Sequence, residues 1–289
     1  LADTFARIAV RRTYKLYVGG AFPRSESGRS YPVTSSAGDH LANAAQASRK
    51  DVRDAVVAAR KAFPGWSGRT AYNRGQILYR VAEMMEGRRA QFAEEVAAAE
   101  GVGRARAQAL VSAAVDRWVH YAGWADKFGQ LLGSANPVSG PYFNLSTPEP
   151  TGVVGILAPT GSSLLGLVSV LAPVLTSGNT AVLVASEAGP LPAITLAEAL
   201  ATSDLPAGAA NILTGRLPEL APPLAGHADV NALDLAGAGS LAGELEALAA
   251  TTLKRVLRPG EQDWEDTDPG LSRIKPFLEI KTVWHPIGR

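Results

Sequence analysis

The chain contains no cysteine in its 289 residues. That one absence removes disulfides, thiolate-ligated zinc and every thiol nucleophile. Histidine is scarce too. His40, His120, His227 and His285 lie far apart, with no i, i+4 pair and no acid at metal-ligand spacing, so they read as surface or packing residues rather than a metal site. Neither sign of charge dominates: 28 Lys and Arg face 27 Asp and Glu, for a formal net charge of +1. The basic residues are scattered among the acids, which excludes the basic face that nucleic acid or acidic lipid requires.

Charge is missing altogether from Thr151 to Ser186, which holds no Asp, Glu, Lys, Arg or His. A run of that kind raises the question of a membrane span. Pro173 and the Ser-Gly-Asn-Thr turn at 177–180 cut it into strand, helix and strand, so a buried α/β unit is the better reading, in a soluble, cytoplasmic protein. The chain opens on Leu1 without a basic region followed by an apolar one, and reads as a segment of something longer.

With 46% hydrophobic residues the chain can bury a large core. Tyr14 to Phe22 predicts two short strands about the Gly19-Gly20 turn. Ser48, with Asp51 three residues on, predicts a capped helix start, followed by Val52, Ala55, Val56, Ala59 and Phe63 at helical spacing. Further helices are expected over about residues 73–86, 90–100 and 104–128. Pro141 to Pro148 reads as an edge strand. From there strand and helix alternate: 153–158, 181–185, 211–213, 232–235 and 253–257 are short apolar runs separated by helix-length segments. The pattern predicts a doubly wound parallel sheet with helices on both faces, behind an N-terminal helical layer.

Residues 261–270 form a charged, Pro/Gly-ended linker, and beyond it 277–284 alternates, with Leu278, Ile280 and Trp284 on one face and Glu279, Lys281 and Val283 on the other. Such a strand needs a partner, either Tyr142 to Thr147 of this chain or a strand across an interface.

Three places invite a chemical reading. Gly152 to Gly166 runs from a β-branched segment through a Pro/Thr/Gly/Ser turn into an apolar run, the order in which many phosphate and cofactor sites are built. Ser162 and Ser163 in it most simply cap the following helix. Gly237-Ala-Gly239-Ser-Leu-Ala242 fits a G-x-G-x-x-A dinucleotide fingerprint, although it sits late in the sheet and in a chain of 29 glycines. Ser240 could be imagined as a nucleophile with Asp263 or Asp266 and His285, but Ala238 and Ala242 break the G-x-S-x-G elbow.

Four ordered segments resemble the aldehyde dehydrogenases: Pro150-Thr-Gly-Val-Val-Gly, Leu171-Ala-Pro-Val-Leu-Thr-Ser-Gly-Asn-Thr180, Asp204-Leu-Pro-Ala-Gly-Ala-Ala-Asn-Ile-Leu-Thr-Gly215 and Leu253-Lys-Arg-Val256. The resemblance implies a Rossmann-like cofactor domain over residues 1–260 with a strand arm at 141–148, a linker at 261–274 and a C-terminal oligomerisation strand at 275–289. The departures fall where that family does its chemistry. Gly161 stands where the resemblance implies an oxyanion-stabilising Asn, Val184 where it implies a ribose-binding Lys, and Leu235-Ala-Gly-Ala-Gly239 has lost two hydroxyls. Pro259 falls at the position of the general-base Glu. The catalytic domain, on the order of 150 to 200 residues, is absent between Val256 and the closing strand.

That arrangement is similar to the truncated second module of family-sixteen aldehyde dehydrogenases. It implies a non-catalytic module, with no cofactor of its own, that supports a catalytic NAD(P)-dependent module in a homo-oligomeric parent. Tyr142, Asn144, Leu278, Ile280, Thr282 and Trp284 would form the interface, with 142–147 and 278–284 both adding to the partner's sheet. Glu187, Gly237 and Gly239 remain as vestigial cofactor contacts. The alternatives are a nucleotide-binding regulatory domain and an independent hydrolase.

Overall fold

The computed structural model describes residues 12–288. In chain order the elements are β1 (Thr13–Tyr14), β2 (Ser30–Thr34), β3 (His40–Ala45), α1 (Arg49–Ser67), α2 (Ala71–Glu86), α3 (Arg89–Glu100), α4 (Arg104–Trp124) and α5 (Phe128–Leu132). There follow β4 (Ser134–Asn136), β5 (Tyr142–Pro150), β6 (Val153–Leu157), α6 (Leu165–Thr176), β7 (Thr180–Val184), α7 (Leu191–Ala201) and β8 (Ala210–Leu213). The last are α8 (Leu217–Ala225), β9 (Ala232–Asp234), α9 (Ala242–Ala250), β10 (Arg255–Leu257) and β11 (Leu278–Pro286).

Why the N-terminal helices start where they do is visible in α1. Ser48 accepts hydrogen bonds from the Lys50 and Asp51 amides, while the Asp51 carboxylate accepts from the Ser48 amide at 2.8 Å, a reciprocal box that satisfies otherwise orphaned donors. The expected face is buried, except that Trp66 rather than Phe63 completes it, its indole donating to the Leu175 carbonyl at 3.1 Å. The Gly19-Gly20 turn also forms, with both glycines at positive φ (61° and 81°). It closes only the Val18–Ala21 bridge, however, because Tyr14 pairs with Ala44 of β3 and Tyr17 with Ile212 on the outer edge of β8. The hairpin is thus replaced by a three-stranded β1-β3-β2 sheet whose second and third members the alternation did not reveal.

The centre of the molecule is a five-stranded sheet, all parallel, in the order β10-β9-β6-β7-β8. The first strand of this unit, β6, lies between its second and its fourth, which is the Rossmann arrangement with a switch point between β6 and β9. Every residue of β6, β7 and β8 is buried, as the apolar runs require of a sheet covered on both faces. One face packs on α4, α6 and α7; the other packs on α1, α8 and α9. Helix α6 is buried along its whole length, which accounts for the uncharged run at 151–186. No helix among the described residues is long and apolar enough to cross a membrane.

Strand β11 pairs antiparallel with β5 of the same chain, Leu278 opposite Pro150 and Trp284 opposite Asn144. Its sheet has the order β11-β5-β4. Of the two partners the sequence allowed for 278–284, the strand takes the one within the chain, 142–147. Strand β5 is central, with β4 on its other side over Asn144 to Ser146, so its ladder there is spent inside the chain. The two edges of this sheet are the three-residue β4 and the nine-residue β11, whose outer side is open along its length.

The segment 261–274 is also not a free linker. Ile274 and Phe277 are fully buried, and Trp264 and Leu271 pack partly buried into the same core as Ala232 of β9 and Leu257 of β10. At about 1.5–3 kcal/mol for each fully buried large apolar side chain, these contacts outweigh the exposed Arg106–Glu265 ion pair that also holds the segment. Composition misled because the residues on both sides of Trp264, 261–263 and 265–268, are polar or charged and exposed.

Replacing Ser48 by alanine should remove one half of the α1 box. We expect a loss of about 1 kcal/mol, read as a lower urea midpoint with an unchanged slope; a midpoint within error of the parent would show the cap to be redundant.

Candidate functional site

The Rossmann order directs attention to the carboxyl ends of β6 and β9. After β6, residues 158–164 cross to the start of α6. Ser162 caps this turn as expected, its Oγ accepting from the Gly166 amide at 2.8 Å. Ser163 does something else: its amide and its hydroxyl both donate to one Glu100 carboxylate oxygen, each at 2.7 Å. A carboxylate from the end of α3 therefore occupies donors of the loop that would otherwise face the crevice. Gly161 is exposed, and a Cβ there would meet nothing within 4 Å. Packing therefore does not demand glycine at this position.

The residues after β7 are engaged as well. Val184 is 1% exposed and belongs to the core on the α1/α8 face, and its carbonyl accepts from the Ala158 amide at 3.0 Å. Glu187 pairs with Arg216 and accepts from the Leu217 amide at 3.4 Å, where its charge complements the N-terminal end of α8. The Arg216 guanidinium in turn lies 5.0 Å from the centre of the Tyr31 ring. Glu187 is thus a structural clasp between β7, α8 and β2.

The fingerprint glycines divide in the same way. The Gly237 amide donates to the Leu157 carbonyl at 2.8 Å, and a Cβ on Gly237 would sit 2.0 Å from the Ala158 carbonyl oxygen. The loops after β6 and β9 touch backbone to backbone at the switch point, and only glycine permits it. Gly239 adopts φ of 53° with open space around it, and it and Ser240 are exposed. Ser240 does not meet the partners imagined for it. His285 sits on β11 opposite Phe143, while Asp263 and Asp266 accept the amides of Glu265 and Asp268 within their own turns. No triad is assembled.

The residue that sequence reasoning missed is Asp234, read as part of an apolar strand. It is fully buried at the end of β9, its Oδ1 accepting from the Ala236 amide at 3.0 Å and its Oδ2 from Arg273 at 2.6 Å. Burial pushes its carboxyl above the usual range, while the Arg273 guanidinium, itself 6% exposed on its side chain, pulls in the opposite direction. Beside them the Tyr121 phenol, raised to about 12 by burial, has no hydrogen-bond partner. A lone acid inside Ala-Leu-Asp-Leu was the available signal.

The four histidines stand apart. The His120 Nε2 accepts from the Trp124 indole at 3.0 Å and the His227 Nδ1 accepts from the Asp229 amide at 3.1 Å. Among the described residues no group of three His, Asp or Glu side chains could hold a metal ion. The interface candidates split: Asn144 (3% exposed) and Leu278 (4%) are buried within the chain, whereas Tyr142, Ile280, Thr282 and Trp284 are exposed. Tyr142 and Trp284 pack edge to face at 5.9 Å, and the Ser146 and Thr282 hydroxyls share a hydrogen bond of 2.9 Å across β5 and β11.

Comparison with known proteins bears on this geometry. The aldehyde dehydrogenase family model matches residues 22–258. Aldehyde dehydrogenase, cytosolic 1, of Elephantulus edwardii is 31% identical over 262 residues, 89% of this chain and 52% of that protein. Retinal dehydrogenase 2 of Homo sapiens is 33% identical over 251 residues, 84% of this chain and 47% of that protein. The solved NAD+ complex of aldehyde dehydrogenase from Bacillus cereus is similar with a TM-score of 0.78 at 29% identity, over 85% of this chain and 50% of that one. The chain spans about half the length of the curated relatives it matches, and the matched region stops where β10 gives way to the packed segment. By its sheet order, its four ordered motifs and this match over most of its length, the chain belongs to the aldehyde dehydrogenase family.

Proposed function

We propose that this chain is a non-catalytic aldehyde-dehydrogenase-like module that braces a catalytic, NAD(P)-dependent module of the same family, as the resemblance to the second module of family-sixteen enzymes suggests. The observation that carries the reading is the path of the chain after β10. Residues 258–277 cover the β9–β10 side of the core and deliver the chain directly to β11, which returns to β5 of the same molecule. The cofactor-domain fold is thereby closed on itself with no catalytic domain interposed. The absence of cysteine from the whole sequence removes the thiolate that the family uses as nucleophile.

The crevice does not fit a dinucleotide. Its carboxylate is bound to Arg216, its strand end is packed as Val184, and its two loops meet at Gly237. Against this, Gly239 and Ser240 are exposed at the switch point, which keeps a weak nucleotide site as the second reading. The surface offered to the catalytic module is the open edge of β11 with Ile280, Thr282 and Trp284, where strand addition would supply main-chain hydrogen bonds and the apolar side chains would set register. The parent assembly would then be a homo-oligomer built on such pairs, in the cytoplasm.

Purified alone, the chain should oxidise no aldehyde with NAD or NADP, and mixed with the catalytic module of its own source it should form a defined complex by light scattering. Ile280→Lys with Trp284→Lys should weaken that complex by about tenfold or more while leaving the isolated chain's melting temperature in place. Turnover by the chain alone would reveal a thiol-free mechanism and end the non-catalytic reading. An unchanged affinity in the double variant would move the interface away from β11. Calorimetry with millimolar NAD should give no binding heat; a saturable isotherm would favour the nucleotide reading.

A further inference from the structure

Strand β11 has little of its own to hold it down. Of its nine residues only Leu278 is buried, and the rest present side chains to solvent. What precedes it is anchored far more deeply. Arg273 reaches the fully buried Asp234 at 2.6 Å, and its guanidinium lies 5.0 Å from the centre of the Trp264 ring, so one side chain ties the segment's later half to β9 and to its own earlier half. Arg117 of α4, also buried, donates to the Trp264 carbonyl at 3.0 Å, to the Asp266 carbonyl, and to Ser169 of α6 at 2.9 Å. At the far end the Phe277 carbonyl accepts from the Thr151 amide at 3.2 Å and from the Asn179 side chain at 2.8 Å. The next residue is Leu278, the first in register with β5, followed by Glu279, which pairs with Arg255 of β10.

We propose that residues 258–277 act as a latch for the arm: the buried Asp234–Arg273 pair holds this strap on the sheet, and the strap in turn holds β11 on β5, so that strap and strand open together as one unit. The physical reason is an inequality of burial. The ladder between β11 and β5 lies at the surface, where main-chain bonds exchange with water at little net cost. The strap is fixed by a salt bridge out of solvent, which cannot lose one partner without stranding the other charge. A strand that begins five residues beyond Arg273, and one beyond the Phe277 carbonyl held by Thr151 and Asn179, cannot drift while those anchors hold. Opening would bare the edge of β5 that β11 covers, and with it a template for another strand. The proposal concerns the chain by itself and stands or falls independently of the catalytic partner.

Native-state hydrogen exchange on the whole chain in rising, sub-denaturing urea tests it. The β5-paired amides of β11 and the protected amides of 262–277 should merge onto one opening isotherm, lying below that of β6 and β7. Arg273→Lys keeps the positive charge but shortens the reach to Asp234. It should speed exchange in strap and β11 by the same factor, about tenfold or more, and leave β6 and β7 unchanged. The proposal is overturned if β11 opens on an isotherm of its own or only with the central sheet, or if Arg273→Lys frees the strap while β11 stays protected. Should the lysine variant fail to fold, the isotherms of the unaltered chain decide the matter alone.

Discussion

A parallel sheet has no face it can leave in water, and in this chain that constraint reaches from the composition of β6 to the path of the last thirty-odd residues. Its strands are apolar on both sides, so each face must be roofed from edge to edge. Helices α1, α8 and α9 complete one roof, and α6 and α7, backed by α4, supply most of the other. The β9–β10 side of that second face is where the roof would be incomplete. Residues 264, 271, 274 and 277 fill it, and the strap that bears them is therefore a layer of the fold.

The strap also explains an otherwise expensive residue. A carboxylate at the end of a buried strand would be costly unpaired, and its protonation is already favoured by burial. Arg273 compensates it, and the pair then serves as a register mark for the strap on β9. A well-packed apolar pair of similar volume could supply comparable stability without the same demand on position. In this sense the ion pair specifies where the strap lies more than it strengthens the core.

The switch point shows the same economy in the opposite direction. Groups that could have faced a ligand have been turned inward: Ser163 to Glu100, Glu187 to Arg216 and the α8 amide, and the Gly237 amide to the Leu157 carbonyl. Each contact satisfies a polar group that would otherwise need water or a cofactor. In the loop Pro159-Thr-Gly-Ser-Ser, the Ser163 amide and hydroxyl are spent on Glu100 of the protein itself.

Much of this architecture was determined by the sequence alone. Period-2 and period-3.6 patterns, the Ser48–Asp51 box and the Gly19-Gly20 turn are local signals, written in residues a few positions apart, and they located the parallel sheet and most of its helices. The zero count of cysteine needs no fold at all. Tertiary structure alone decided whatever depends on residues distant in the chain. It placed Tyr17 against Ile212, returned β11 to its own β5, joined Arg273 to Asp234 and committed Glu187 to Arg216. A charged, proline-bearing stretch and a packed strap have the same composition, because what separates them is which few side chains find a buried partner, and that is settled only when the sheet has formed.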